Sequence, residues 1–211
     1  MSLLPASGAT VYDNGAPLVG QVRDISLFRS ADDFVLASNG NIAAVRFWIS
    51  STSPIVADPQ TNFSGSISYA FYADSSGSLG TLLASGTVSG VTAVPTGSIH
   101  SGTNAGMSVI DLDLTSLVAL AAGTYWLELH EGPTLSTSDS TNIGWEASAN
   151  SGGNALQGLA ANGLPTSGTL NNLAFQLFDT PFNNTATVPE PGTLGLAALA
   201  LIAIASTRKK S

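Results

Sequence analysis

Cysteine is missing from all 211 residues, which excludes disulfides, thiolate catalysis and cysteine-ligated metal sites while leaving the compartment open. Positive charge is almost missing too. Residues 1–207 contain no lysine and only Arg23, Arg29 and Arg46, and the remaining cations sit together at 208–210. Against 14 acidic residues the formal net charge is −8; were the chain to end after Pro191, three arginines would face those 14 acids, giving −11. Such a surface repels phosphate backbones and anionic headgroups, so nucleic acid is not an expected partner. Charged residues make up only 9% of the chain. The surface must therefore be built from Gly, Ser, Thr, Asn and Ala, a composition of secreted β-rich proteins rather than of cytosolic enzymes. A long amphipathic helix and an internal repeat are also lacking, and there are only two histidines.

Period-two alternation fills the body of the chain, the mark of strands with one buried face. In 43–50, Val45, Phe47 and Ile49 oppose Ala44, Arg46 and Trp48; in 66–73, Ile67, Tyr69 and Phe71 oppose Ser68, Ala70 and Tyr72. In 107–114, Ile110, Leu112 and Leu114 oppose Asp111 and Asp113; in 123–131, Tyr125, Leu127 and Leu129 oppose Trp126, Glu128 and His130. Further strands are expected at 33–37, 81–88, 143–147 and 173–179. Asn39-Gly40, Asp74-Ser-Ser-Gly77, Ala122-Gly123 and Asn162-Gly163 supply the reversals. One helical turn is expected at Leu117–Ala121, and 148–172 reads as long loops hiding at most a weak strand. Eight or so short strands with such turns predict an all-β fold, an antiparallel β-sandwich that is jelly-roll-like.

The last 24 residues differ in kind. Pro189 and Pro191 lack amide donors and hold the chain extended, so a helix cannot begin before Gly192. From Gly192 to Thr207 there are 16 uncharged residues, apolar on every side, enough for about 24 Å of helix. That is shorter than the ~30 Å hydrocarbon core, so spanning needs a thinned bilayer or snorkelling flanks. Arg208, Lys209 and Lys210 act as a membrane stop held in the cytoplasm, which puts the rest of the chain outside. A tail-anchored cytoplasmic protein would place these cations outside, against that charge rule.

Pro189-Glu190-Pro191, the short Gly/Leu/Ala/Ile helix and the terminal Arg208-Lys209-Lys210 together resemble the PEP-CTERM sorting signal of Gram-negative bacteria. That resemblance implies an exosortase-type processing protease as partner, which cleaves near the motif, and a substrate that accompanies exopolysaccharide or biofilm production. Asp32-Asp33-Phe34, Val45-Arg46-Phe47-Trp48, Tyr72-Ala73-Asp74, Leu117 with the run Ala122–Leu127, and Leu173–Leu177 are similar to β-sandwich ectodomains that precede such tails; this implies architecture and export, not a chemistry. The organisation expected is an unstructured start at 1–10, a β-sandwich ectodomain at 11–181, a polar linker at 182–188 and the sorting tail, with a single transmembrane helix, at 189–211. An exported chain needs an N-terminal signal with a basic start and an apolar middle. Residues 1–9 show neither, so the true start is expected to lie upstream or the leader to be gone, with Ser7-Gly8-Ala9 as a cleavage remnant.

Candidate sites are few. His100 lies in the Gly/Ser segment 95–106 and is expected to be solvated. His130 shares a strand face with Glu128 and Trp126. A His/Glu pair could do acid–base work, but no nucleophile elbow or third orienting group accompanies it, so an exposed strand face is the expectation and no catalytic residue is assigned. Trp48 beside Arg46, and Trp126 beside Glu128 and His130, would form a sugar-stacking platform if their strands were neighbours; burial of both indoles by loops or by the second sheet is the commoner outcome. Asp32, Asp33, Asp74, Asp111 and Asp113 are calcium candidates by charge alone, without calcium-loop spacing, and no metal site is assigned. The reading is a non-enzymatic protein, an inner-membrane precursor that ends on the cell surface or in the extracellular matrix. A carbohydrate-binding module and an extracellular hydrolase are the alternatives.

Overall fold

Val45, Phe47 and Ile49 are fully buried, as are Ile67, Tyr69, Phe71, Leu127 and Leu129, so the alternating segments are strands and these residues mark their inward faces. The computed structural model describes residues 8–54, 58–138, 140–150, 152–164 and 170–182. Twelve strands are present among them: β1 (Thr10–Asp13), β2 (Pro17–Asp24), β3 (Phe28–Leu36), β4 (Gly40–Ser51), β5 (Ser66–Asp74), β6 (Leu79–Ser89), β7 (Ala93–His100), β8 (Ala105–Leu120), β9 (Gly123–Glu131), β10 (Ile143–Ser148), β11 (Leu156–Leu159) and β12 (Phe175–Phe178). All pairings are antiparallel.

Seven strands form sheet A around β4, whose one edge pairs with β8 along most of its length, with β7 beyond. Its other edge is shared end to end: β12 pairs with Ala44–Phe47 and β10 with Ile49–Ser51, backed by β1 and β2 respectively. Sheet B runs β11-β3-β9-β5-β6. The inner faces meet in one core in which Phe47, Trp145 and Phe175 of sheet A and Phe34 and Phe71 of sheet B contact ring to ring at 5.8–6.2 Å. Each such side chain contributes about 1.5–3 kcal/mol by leaving water. The Trp145 indole also donates to the Ala174 carbonyl at 2.8 Å, which ties β10 to the segment leading into β12.

Three local expectations are corrected. Leu117–Ala121 is not helical: β8 continues to Leu120, with Val118 and Leu120 buried opposite Ile42 and Gly40. β1 and β2, and β7 as a strand, fall outside the alternating segments: all three are sheet-margin strands, β1 only four residues long and β2 and β7 carrying long exposed stretches. A helical turn α1 (Pro59–Asn62) forms where Asp58 caps the Gln60 amide at 2.9 Å and Pro59 presets φ. The segment 148–172 agrees with its expectation of loops hiding a weak strand: it contains the four-residue β11, and a short 3-10 turn at Ala160–Asn162 besides. The reversal after β5 is as expected: Asp74 accepts from the Gly77 amide, and Gly77 sits at φ +80°. Among the described residues no helix is long and apolar enough to cross a membrane; the expected tail helix, the sorting motif, residues 1–7 of the start and 183–188 of the linker lie outside them. The fold reaches one residue further at each end than 11–181, because β1 opens at Thr10 and Phe182 is buried.

Candidate functional site

The chain's route toward its tail ends in a clamp on the outer face of sheet A. Phe178 closes β12 and points outward, since Leu177 faces the core. Phe182 turns back over it, with ring centroids 4.8 Å apart and planes tilted 64°. The Arg46 guanidinium lies over both rings, at 5.0 Å from Phe182 and 5.6 Å from Phe178, a cation–π contact worth about 0.5–2 kcal/mol. Arg46 is aimed there by a bidentate pair with Asp111, at 2.6 and 2.8 Å, which also raises its pKa. The Phe182 amide donates to Asp113 Oδ1 at 2.6 Å. Arg46, Asp111 and Asp113 are all outward positions of β4 and β8, paired across the strands. Beside them runs a groove of about 400 Å³ lined by Val88, Val91, Val94, Val109 and the two aspartates. Its carboxylates are already engaged by Arg46 and Phe182, so what it offers is mainly an aliphatic wall.

The sugar-stacking platform does not form. Trp48 lies on β4 in sheet A and Trp126 on β9 in sheet B, so the condition of neighbouring strands fails. Trp126 is fully buried under Ala31, Leu156, Tyr72, Leu79 and Leu164, with its indole donating to Asp74 at 3.0 Å. Trp48 keeps partial exposure alone. Glu128 and His130 are not on an exposed face either; both are fully buried. Glu128 receives the Arg29 guanidinium through two bonds, one to Nε and one to Nη2 at 2.8 Å, and the Tyr72 hydroxyl at 2.6 Å. His130 Nδ1 donates to the Phe28 carbonyl at 2.9 Å, leaving Nε2 buried without a partner. His100 is 3% exposed rather than solvated. Its Nδ1 accepts from the Thr103 amide at 3.2 Å, and burial lowers its pKa.

Two further fully buried carboxylates, Asp32 and Glu146, have pKa values raised by burial. Asp32 is wholly inside, accepting from Leu173 N at 2.6 Å, Asn14 Nδ2 at 2.7 Å and Asp33 N at 3.1 Å. Burial pushes its pKa up to about 8 despite those donors. It thereby stitches β3 to the segments flanking β1 and β12. Glu146, on β10, takes the Ser50 hydroxyl on one oxygen and buries the other without a partner; burial raises its pKa to about 7. Of the remaining calcium candidates, Asp74 is occupied by Trp126 and Gly77, and Asp33 feels its charge. Among the described residues no three acidic or histidine side chains gather as metal ligands. The inward phase of Phe34 and Leu36 would have exposed Asp32 as a core position; Glu146 and the Phe182 clamp left no such pattern in the sequence.

Comparison with known proteins returns one family description, the PEP-CTERM protein-sorting motif, matching residues 187–210. No curated protein matches the chain. The matched stretch begins five residues beyond Phe182 and includes Pro189, Glu190, Pro191 and the basic end. A motif of this kind implies exosortase processing of a membrane-anchored precursor and export to the cell surface.

Proposed function

We propose that this chain, carrying a PEP-CTERM sorting motif at 187–210, is a non-enzymatic structural protein of the cell surface or extracellular matrix. In this reading the 16-residue apolar stretch from Gly192 to Thr207 holds the precursor in the inner membrane as a single short helix, Arg208–Lys210 stay inside, and the β-sandwich stands outside. Cleavage near Pro189–Pro191 frees it to associate with exopolysaccharide or biofilm. The motif is the observation that carries the reading. Two further features support it. The surface has few charges and many hydroxyl and amide groups, suited to a hydrated polysaccharide matrix rather than to nucleic acid. The single His/Glu pair on one strand is walled in by Arg29, Tyr72 and the Phe28 carbonyl, which leaves a hydrolase no open acid–base site there.

Mass spectrometry of the mature C-terminus tests this. The expected result is a chain ending near the Pro-Glu-Pro segment and lacking Arg208–Ser211. Recovery of secreted material with an intact Lys210-Ser211 end would refute processing, and loss of cleavage on replacing Pro189-Glu190-Pro191 with three alanines would tie it to the motif.

A further inference from the structure

We propose that the Arg46–Phe178–Phe182 clamp is a ruler: it fixes how much chain separates the folded sandwich from the sorting motif, and so presents the outer face of sheet A to the membrane-embedded processing protease. The inference rests on the sorting reading above. Domain ends are usually loose, yet here three contacts hold Phe182, where the described residues end: its amide on Asp113, its ring on Phe178 and the Arg46 guanidinium over both. The parts come from β4, β8 and β12, so the clamp exists only once sheet A is assembled. Upstream, Asp179 is fixed to Ala9 by paired bonds, Asp179 N to Ala9 O at 3.2 Å and Ala9 N to Asp179 Oδ1 at 2.8 Å.

With the clamp closed, six residues, 183–188, lie between Phe182 and Pro189, a reach of about 20 Å when fully extended. With it open, the chain is free from Thr180, and three more residues add about 10 Å. A protease embedded in the bilayer therefore meets a folded sandwich whose Phe182 corner can stand no farther from the motif than that reach, and the clamp sets this limit.

Matched deletion and release test the ruler in cells that contain the processing protease, reading the processed fraction by mass spectrometry and the fold by thermal melt. Removing residues 184–186, outside the matched motif, is expected to lower processing about tenfold, because a tether that cannot span its sites brings the effective concentration toward zero. Replacing the same three residues with serines keeps the length and is expected to leave processing unchanged. Adding Phe182→Ala and Asp113→Ala together to the deletion removes both the ring contacts and the acceptor of the residue-182 amide, returns three residues of tether and should restore processing to near the parent level; Phe182→Ala alone is a milder second release. A deletion without effect overturns the ruler. So does a deletion that blocks processing and is rescued by neither release while the sandwich still melts cooperatively. A parent chain that is never processed removes instead the sorting reading on which the ruler stands.

Discussion

Replacing Arg29 with methionine is expected to destabilise the fold by about 3–5 kcal/mol, because it leaves the fully buried Glu128 carboxylate with an uncompensated charge. In a domain of this size that corresponds to a loss of roughly 6–20 °C in melting temperature. The Tyr72 hydroxyl, 2.6 Å from Glu128, cannot replace the lost cation, since it offers one neutral donor where the guanidinium offered two charged ones. Glu128→Gln should cost less, because the surviving arginine reaches solvent with part of its side chain. The double variant Arg29→Met with Glu128→Gln should recover much of the loss, since it leaves no unpaired charge at this buried position. Denaturant titration of the four proteins checks the cycle. A single Arg29→Met penalty below about 1 kcal/mol would mean that the pair behaves as a solvated surface contact.

That pair also shows what the sequence could and could not announce. Period two placed Trp126, Glu128 and His130 on one face and Leu127 and Leu129 on the other, and the structure has them so. Alternation reports which residues share a side of the strand; it is silent about what lies over that side. Here β11 and the residues after it, drawn from a Gly/Asn-rich stretch without periodicity, cover the supposedly open face. The sugar platform failed for a related reason. Trp48 and Trp126 have the same local pattern, but strand order is a long-range property, and β4 and β9 belong to opposite sheets. The tail was the opposite case. Its meaning lies in composition and order along the chain, with Pro-Glu-Pro, then an apolar run, then three cations, and needs no tertiary contact to be read. The clamp joins the two kinds of information: Phe182 looks like the start of a linker until Arg46, Asp111 and Asp113 are brought beneath it by pairing between β4 and β8.

Stability is expected to fall as pH rises from 5 to 9, the reverse of the trend set by carboxylates in salt bridges. Asp32 and Glu146 are the cause, with folded-state pKa values pushed by burial to about 8 and about 7. The unfolded chain releases these protons near pH 4, whereas the folded chain keeps them, so between the two values the native state binds more protons and each unit of pH costs up to about 1.4 kcal/mol per group. The contribution is fully present below about pH 4 and is gone once the pH has passed about 8. For Glu146 the whole window is worth about 3 kcal/mol. His100 works in the other sense. Its pKa is lowered by burial, so its neutral form stabilises the fold above the ordinary histidine range and that part is lost on acidification. Glu146→Gln isolates the effect, because it keeps the shape of the protonated acid and its acceptor for the Ser50 hydroxyl but cannot ionise. Its melting temperature should match the parent at pH 5 and exceed it at pH 8–9. Parallel curves for the two proteins across that range would show that Glu146 ionises in the folded chain as easily as in the unfolded one, which an oxygen buried without a partner does not allow.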